Sequence, residues 1–155
     1  MKKITILVPA YNEEEALPLL YERVSKIMND MKDYEFELLF VNDGSKDNTL
    51  NEIKKLREQD KRVSYVDFSR NFGKEIGMIA GLDYATGDCV IIMDADLQDP
   101  PELIPQMVEL WEQGYDDVYA QRKSRKGETW LKKFTSKMYY KVLQSLTRVP
   151  IQKDT

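Results

Sequence analysis

Two carboxylates and an amide, Asp94, Asp96 and Gln98, recur at a spacing of two directly after the apolar run Val90-Ile91-Ile92-Met93. If the chain turns there, their oxygens can face one hard cation. An oxygen-only set suits Mg²⁺ or Mn²⁺, and such sites usually share the ion with substrate phosphates. The same spacing is common in solvated turns, so the motif alone leaves both readings open. Asp43-Gly44-Ser45, after Leu38-Leu39-Phe40-Val41, poses a second choice. Asp43 either caps a helix beginning near Asp47 or accepts hydrogen bonds from a base or ribose at a strand end. Arg70 and Lys74 are either solvated charges or phosphate contacts. Gly73, Gly77 and Gly81 fall on one helical stripe, suited to close packing on a sheet or, at Gly73, to close approach of a ligand. The chain has no histidine. That excludes Ser-His-Asp and Cys-His chemistry and His-ligated zinc. Any catalysis rests on carboxylates, Lys, Arg, Tyr or a metal held by oxygen.

These groups need a scaffold that brings them together. Apolar runs at residues 4–8, 36–41, 63–68 and 89–93 read as strands, and residues 14–31, 48–59, 74–85 and 101–111 as helices. Residues 117–120 read as a fifth strand. Short, continuously apolar strands alternating with helices predict an α/β fold, a mostly parallel sheet flanked by helices. In such sheets ligands bind beyond the carboxyl ends of the strands. The residues there are Pro9-Ala10-Tyr11-Asn12-Glu13, Asn42-Asp43-Gly44-Ser45, Ser69 through Lys74, and Asp94 through Asp99. Four polar strand ends are thus expected on one rim. No Gly-x-Gly-x-x-Gly follows the first strand, and no phosphate loop ends in Gly-Lys-Ser or Gly-Lys-Thr.

The length of 155 residues gives room for one domain with a real core. Hydrophobic residues at 42% exclude a disordered chain, and no stretch approaches the ~18–20 uncharged residues of a membrane span. The single Cys89 excludes an internal disulfide. The net charge of −4 hides a split: residues 1–121 carry 13 basic and 25 acidic side chains, residues 122–148 nine basic and one acidic. Residues 1–121 therefore read as the ligand-binding domain and residues 122–155 as a basic arm, drawn to an anionic partner. On a helical wheel Leu131, Phe134, Met138, Val142, Leu146 and Val149 share one stripe, opposite Lys133, Lys137, Lys141 and Arg148. Such an amphipathic helix either packs its apolar side on the domain or lies on an anionic membrane surface.

The combination is more specific than its parts. The chain resembles the family 2 glycosyltransferases of the GT-A, Rossmann-like fold, and most of all the branch that loads a sugar onto a polyprenyl phosphate. The resemblance rests on Val8-Pro9-Ala10-Tyr11-Asn12-Glu13-Glu14, Val41 through Asp47, Ser69 through Glu75, and Asp94 through Glu102, in that order. It implies roles. Pro9, Ala10, Tyr11, Glu13 and Asp43 would hold the base and ribose of a nucleotide-sugar, with Lys74 and Asp94 also on that donor. Asp94, Asp96 and Gln98 would hold Mg²⁺ or Mn²⁺ against the diphosphate. Asp96 and Arg122 would be the catalytic pair, and Arg122 with Arg125 would meet the acceptor or donor phosphate. The implied reaction inverts the anomeric centre by a single displacement. The implied partners are a UDP-sugar, a polyprenyl phosphate and an anionic membrane surface at its cytoplasmic face. A nucleic acid is not expected, and a homo-oligomer stays open.

The family often continues Asp-Thr-Gly-Asp-Phe-Arg, whereas this chain stops at Asp154-Thr155. A longer protein with further, membrane-spanning helices is therefore expected. Two other readings remain: transfer to a saccharide hydroxyl, and a nucleotide-binding module without turnover.

Overall fold

A computed structural model describes residues 1–121. Four strands, β1 (Lys2–Ala10), β2 (Tyr34–Asn42), β3 (Val63–Asp67) and β4 (Cys89–Ile92), alternate with helices α1 (Leu17–Asp30), α2 (Thr49–Gln59) and α3 (Lys74–Tyr84). A 3-10 turn (Pro101–Leu103) leads into α4 (Ile104–Glu112). All pairings are parallel, in the order β3-β2-β1-β4. The expected α/β architecture is present.

The sheet forms because its strands are apolar on both faces. Ile4, Ile6 and Val8 point to one side of β1 and Leu7 to the other, and all four are fully buried. Leu17, Leu20 and Val24 of α1 and Ile53 of α2 are fully buried too. On the Leu7 face, α3 approaches through its glycines. A Cβ at Gly81 would fall 2.2 Å from Leu7 Cδ1, and one at Gly77 3.6 Å from Val41 Cγ1. At Gly81 close packing selects glycine, whereas at Gly77 a Cβ would make only ordinary contact.

Where elements depart from expectation, the backbone explains it. β1 and β2 run two residues further at their starts, because ladder pairs such as Lys2↔Tyr34 need no apolar side chain. α1 starts at Leu17 rather than residue 14. The N–H groups of Ala16 and Leu17 both donate to Glu13 O, and Pro18 sits in the first turn, where it lacks no needed donor. The fourth helix is α-helical only from Ile104. Pro105 has no N–H to donate to Pro101 O, and Ile104 N donates there instead, closing a 3-10 turn. The strand expected at residues 117–120 is absent: only Val118 is half-buried and the segment has no ladder partner among the described residues. The basic arm, with Arg122 and Arg125, lies outside the described residues.

Strand order positions the site. Successive strands step from β1 to β2 to β3, and then β4 returns to the other side of β1. Ligands in open α/β sheets bind where the order reverses, beyond the strand ends. Here that is the gap between β1 and β4. β4 ends opposite Leu7, with Met93 N donating to Leu7 O at 3.0 Å, so Asp94 emerges alongside the last turn of β1.

Candidate active site

A cleft of about 350 Å³ opens at this reversal point. Pro9, Ala10, Tyr11 and Glu13 line it from the end of β1, Asp43 from β2, and Asp94 and Asp96 from β4. Lys74, the first residue of α3, completes the set. The structure thus brings together every site residue predicted within the described part except Gln98. Gln98 is not among the cleft's lining residues; its backbone N–H donates to Asp96 Oδ1 at 3.2 Å. Gly73, expected above to allow close approach of a ligand, also lines the cleft, as do Asn71 and Ala95, which were not singled out. Their signal was position alone: each sits inside a strand-end motif, between residues with more obvious chemistry.

The loops after β1 and β2 are stitched together. Asn12, at φ 52°, donates its N–H to Ser45 Oγ at 3.0 Å, and its Oδ1 accepts from Lys46 N at 2.8 Å. Ser45 Oγ in turn donates to Asn42 Oδ1 at 2.6 Å, and Asn42 Nδ2 donates to Asp67 Oδ1 at 2.8 Å. Glu13 N donates to Thr49 Oγ1 at 2.8 Å. These polar residues are scaffold: they fix the backbone that carries Tyr11 and Glu13.

Asp43 is almost fully buried, and its two oxygens accept from Phe72 N at 2.7 Å and Gly73 N at 3.1 Å. It does not cap α2, whose first residue, Thr49, donates its N–H to Asp47 Oδ1 at 3.0 Å. Asp43 instead pins the loop that leads into α3. Gly44 makes the pin feasible. Its φ is +65°, and a Cβ there would fall 2.2 Å from the backbone carbon of Arg70. Gly73, at φ +98°, has open space where a Cβ would be, so backbone conformation rather than crowding selects glycine. Arg70 is engaged elsewhere, its guanidinium 4.6 Å over the Phe72 ring.

The acidic side has a different character. Lys74 Nζ forms an ion pair with Asp94 Oδ1. Burial pushes the Glu13 carboxyl above the usual range, and the charges of Asp96, Asp47 and Asp94 push it the same way. Four carboxylates therefore share a field that a cation would relieve. Among the described residues no group of three Asp, Glu, Cys or His side chains is placed to hold a metal alone. Two carboxylates at a strand end, with an ammonium standing as counter-charge, fit a hard divalent ion that takes its other ligands from a phosphate. Leu97, at φ 64°, turns the chain directly after Asp96. A left-handed leucine costs about 1–2 kcal/mol, and such conformations cluster at functional loops.

Residues 5–154 match Glycosyl transferase family 2. Eight curated relatives are 42–49% identical over 96–99% of the chain. One is the prophage bactoprenol glucosyl transferase homolog of Escherichia coli K12, 44% identical over 98% of this chain and 49% of its own length. The chain spans about half the length of the curated relatives it matches. Among solved structures it resembles the mannosyltransferase PcManGT of Pyrobaculum calidifontis in complex with GDP-Man and Mn²⁺. That match has 28% identity and TM-score 0.50, over 64% of this chain and 33% of that one. It also resembles the UDP complex of glucosyl-3-phosphoglycerate synthase from Mycobacterium tuberculosis, with 19% identity and TM-score 0.64 over 96% of this chain and 53% of that one. The fold is that of the GT-A glycosyltransferases. The chain belongs to the family 2 glycosyltransferases.

Proposed function

We propose that this chain carries the donor site of an inverting glycosyltransferase that moves a hexose from a nucleoside-diphosphate sugar to a polyprenyl phosphate. The observation that carries the reading is the cleft at the β1/β4 reversal, where Asp94, Asp96, Glu13 and Lys74 meet the N-terminus of α3. The relative named for bactoprenol supports the acceptor class, and the PcManGT complex supports a nucleotide-sugar and a divalent ion.

Asp94 and Asp96 would hold Mg²⁺ or Mn²⁺, and Gln98 is proposed as a further oxygen ligand. The ion, when bound, offsets negative charge on the departing diphosphate. Pro9, Ala10, Tyr11 and Glu13 line the side assigned to the base and ribose, on a backbone fixed by Asn12, Ser45 and Thr49. Asp43 serves that side by holding the Phe72–Gly73 backbone. Lys74 and the dipole of α3 favour an anion at the helix start. An acceptor phosphate oxygen attacks the anomeric carbon as the bond to the diphosphate breaks on the opposite face, and the diphosphate leaves with the electron pair. The acceptor is already an anion, so the step needs no strong base, in keeping with a chain that has no histidine. Arg122 and Arg125 are proposed for the phosphates, and the basic arm for an anionic membrane surface at its cytoplasmic face.

A thermal-shift panel of nucleoside diphosphates with and without Mn²⁺ tests the reading. UDP is expected to stabilise the protein more strongly with the ion present than without it. A preference for GDP would change the base and leave the class intact; no response to any nucleotide would remove the donor site.

A further inference from the structure

We propose that Lys74 is the resident counter-cation of the cleft. Its ammonium holds Asp94 while the site is empty, yields that oxygen to an incoming divalent ion, and then turns to the diphosphate that arrives with it. The inference rests on the donor-site reading above and assigns this one residue two successive partners.

Four observations carry it. Among the described residues lining the cleft, Lys74 is the sole cation, against the carboxylates of Glu13, Asp43, Asp94 and Asp96. Asp43 is already satisfied by two backbone N–H groups, so the uncompensated charge lies on the other three, and Lys74 has chosen Asp94. The pair is loose: the Lys74 side chain is 57% exposed and that of Asp94 30%, so its making and breaking cost little. Lys74 also stands at the first position of α3, where the helix dipole disfavours a cation. Asp94 offsets this in the empty cleft, and a diphosphate over the same helix end would offset it better. The other cation of this loop, Arg70, is stacked on Phe72 and does not line the cleft.

The consequence is a pair of effects of opposite sign. Mn²⁺ alone must displace the ammonium and gains nothing from it. Mn²⁺ with a diphosphate displaces it too, but the freed ammonium gains a new partner. Removing the charge should therefore help the first ligand and harm the second, which a merely structural lysine would not do.

The experiment uses the 155-residue chain and counts free Mn²⁺ by electron paramagnetic resonance, first with Mn²⁺ alone and then with UDP or GDP added. Lys74→Met is expected to bind Mn²⁺ alone about two- to fivefold more tightly, the range that an exposed ion pair is worth. With nucleotide present the order should reverse, and Lys74→Arg should restore the wild-type order. Circular dichroism checks that each variant is folded. Unchanged or weaker binding of Mn²⁺ alone by Lys74→Met, while the wild type still takes up Mn²⁺ with nucleotide, overturns the exchange and leaves the donor site standing. A wild-type chain that takes up no Mn²⁺ with either nucleotide overturns both.

Discussion

The two ends of the sheet treat a glutamate in opposite ways. At the end remote from the cleft, Glu37 of β2 accepts hydrogen bonds from Thr5 Oγ1 at 2.7 Å, Ser64 Oγ at 3.1 Å, Thr86 N at 3.1 Å and Thr86 Oγ1 at 2.9 Å. Burial pushes its carboxyl up, but the bonds from Thr5, Thr86 and Ser64 together outweigh burial and hold it below the usual range. Thr5 Oγ1 also accepts from Gly87 N at 2.9 Å, so one carboxylate fastens β1, β2, β3 and the turn before β4. At the cleft end, Glu13 has no such donors to its carboxylate among the described residues, and burial with the charges of Asp96, Asp47 and Asp94 pushes its carboxyl up. One end satisfies its charge and gains stability. The other holds charge in excess and is ready for a cation.

The largest expected effect breaks the cleft end. Asp96→Ala removes a carboxylate that repels Glu13 and that the proposed ion needs. Mn²⁺-dependent nucleotide binding should weaken about 100-fold, ~2.7 kcal/mol, with the melting temperature not lowered. Calorimetric titration checks this. An unchanged Mn²⁺ dependence would detach the ion from this loop.

The next effect breaks the satisfied end. Glu37→Met keeps the length of the side chain but leaves three hydroxyls and an N–H without their acceptor. A loss of about 1–3 kcal/mol in urea unfolding is expected, with metal and nucleotide affinity unchanged. The pH dependence follows the same residue. A carboxyl whose pKa is lowered in the folded state stabilises fully above its unfolded value and loses that contribution as pH falls through the folded one. Wild-type stability should therefore drop across the acid range, and Glu37→Met should drop less. Parallel acid profiles would show that the network contributes nothing through ionisation.

Sequence and structure agree where burial alone decides. The continuous apolar runs of β1 and β2 and the glycines of α3 marked the sheet and the helix that rests on it. The rim residues were legible because strand ends are the only place where a parallel sheet exposes polar side chains together. Residues 117–120 were misread because β propensity is visible in a sequence and a ladder partner is not. The division of labour at the rim was hidden for a related reason. Asp43 and Asp94 look alike as strand-end aspartates, yet one is satisfied by backbone N–H groups brought from 29 and 30 residues away and the other by a lysine. Glu37 gave no signal, since an isolated glutamate in an apolar strand reads as an exception rather than a fastener.

Asp43 lies between the two ends in character, and its variant sharpens the contrast. Asp43→Asn keeps one acceptor oxygen and places an amide against a backbone N–H. A stability loss of about 1–2 kcal/mol is expected, together with weaker nucleoside diphosphate binding even without metal, because the Phe72–Gly73 backbone loses its pin. Thermal unfolding and a metal-free titration measure both. Loss of binding with full stability would instead make Asp43 a direct contact to the nucleoside.

The smallest effect, and the one of opposite sign, belongs to Glu13→Gln. A carboxyl with a raised folded-state pKa stabilises fully below its unfolded value and loses that contribution as pH rises through the folded one. At neutral pH the ionised Glu13 is therefore a net cost to the empty protein, from burial first and then from Asp96, Asp47 and Asp94. The amide keeps the shape and removes the charge, and the backbone bond from Glu13 N to Thr49 Oγ1 is untouched. The variant should melt slightly higher than the wild type at neutral pH, with the difference vanishing in acid. With Mn²⁺ and nucleotide present the advantage should shrink or reverse, because the ion that the excess charge attracts now compensates it. Differential scanning fluorimetry at two pH values, with and without the ligands, is enough to see this. A variant less stable than wild type at neutral pH in the empty state would mean that Glu13 is satisfied after all, and that the two ends of the sheet do not differ in kind.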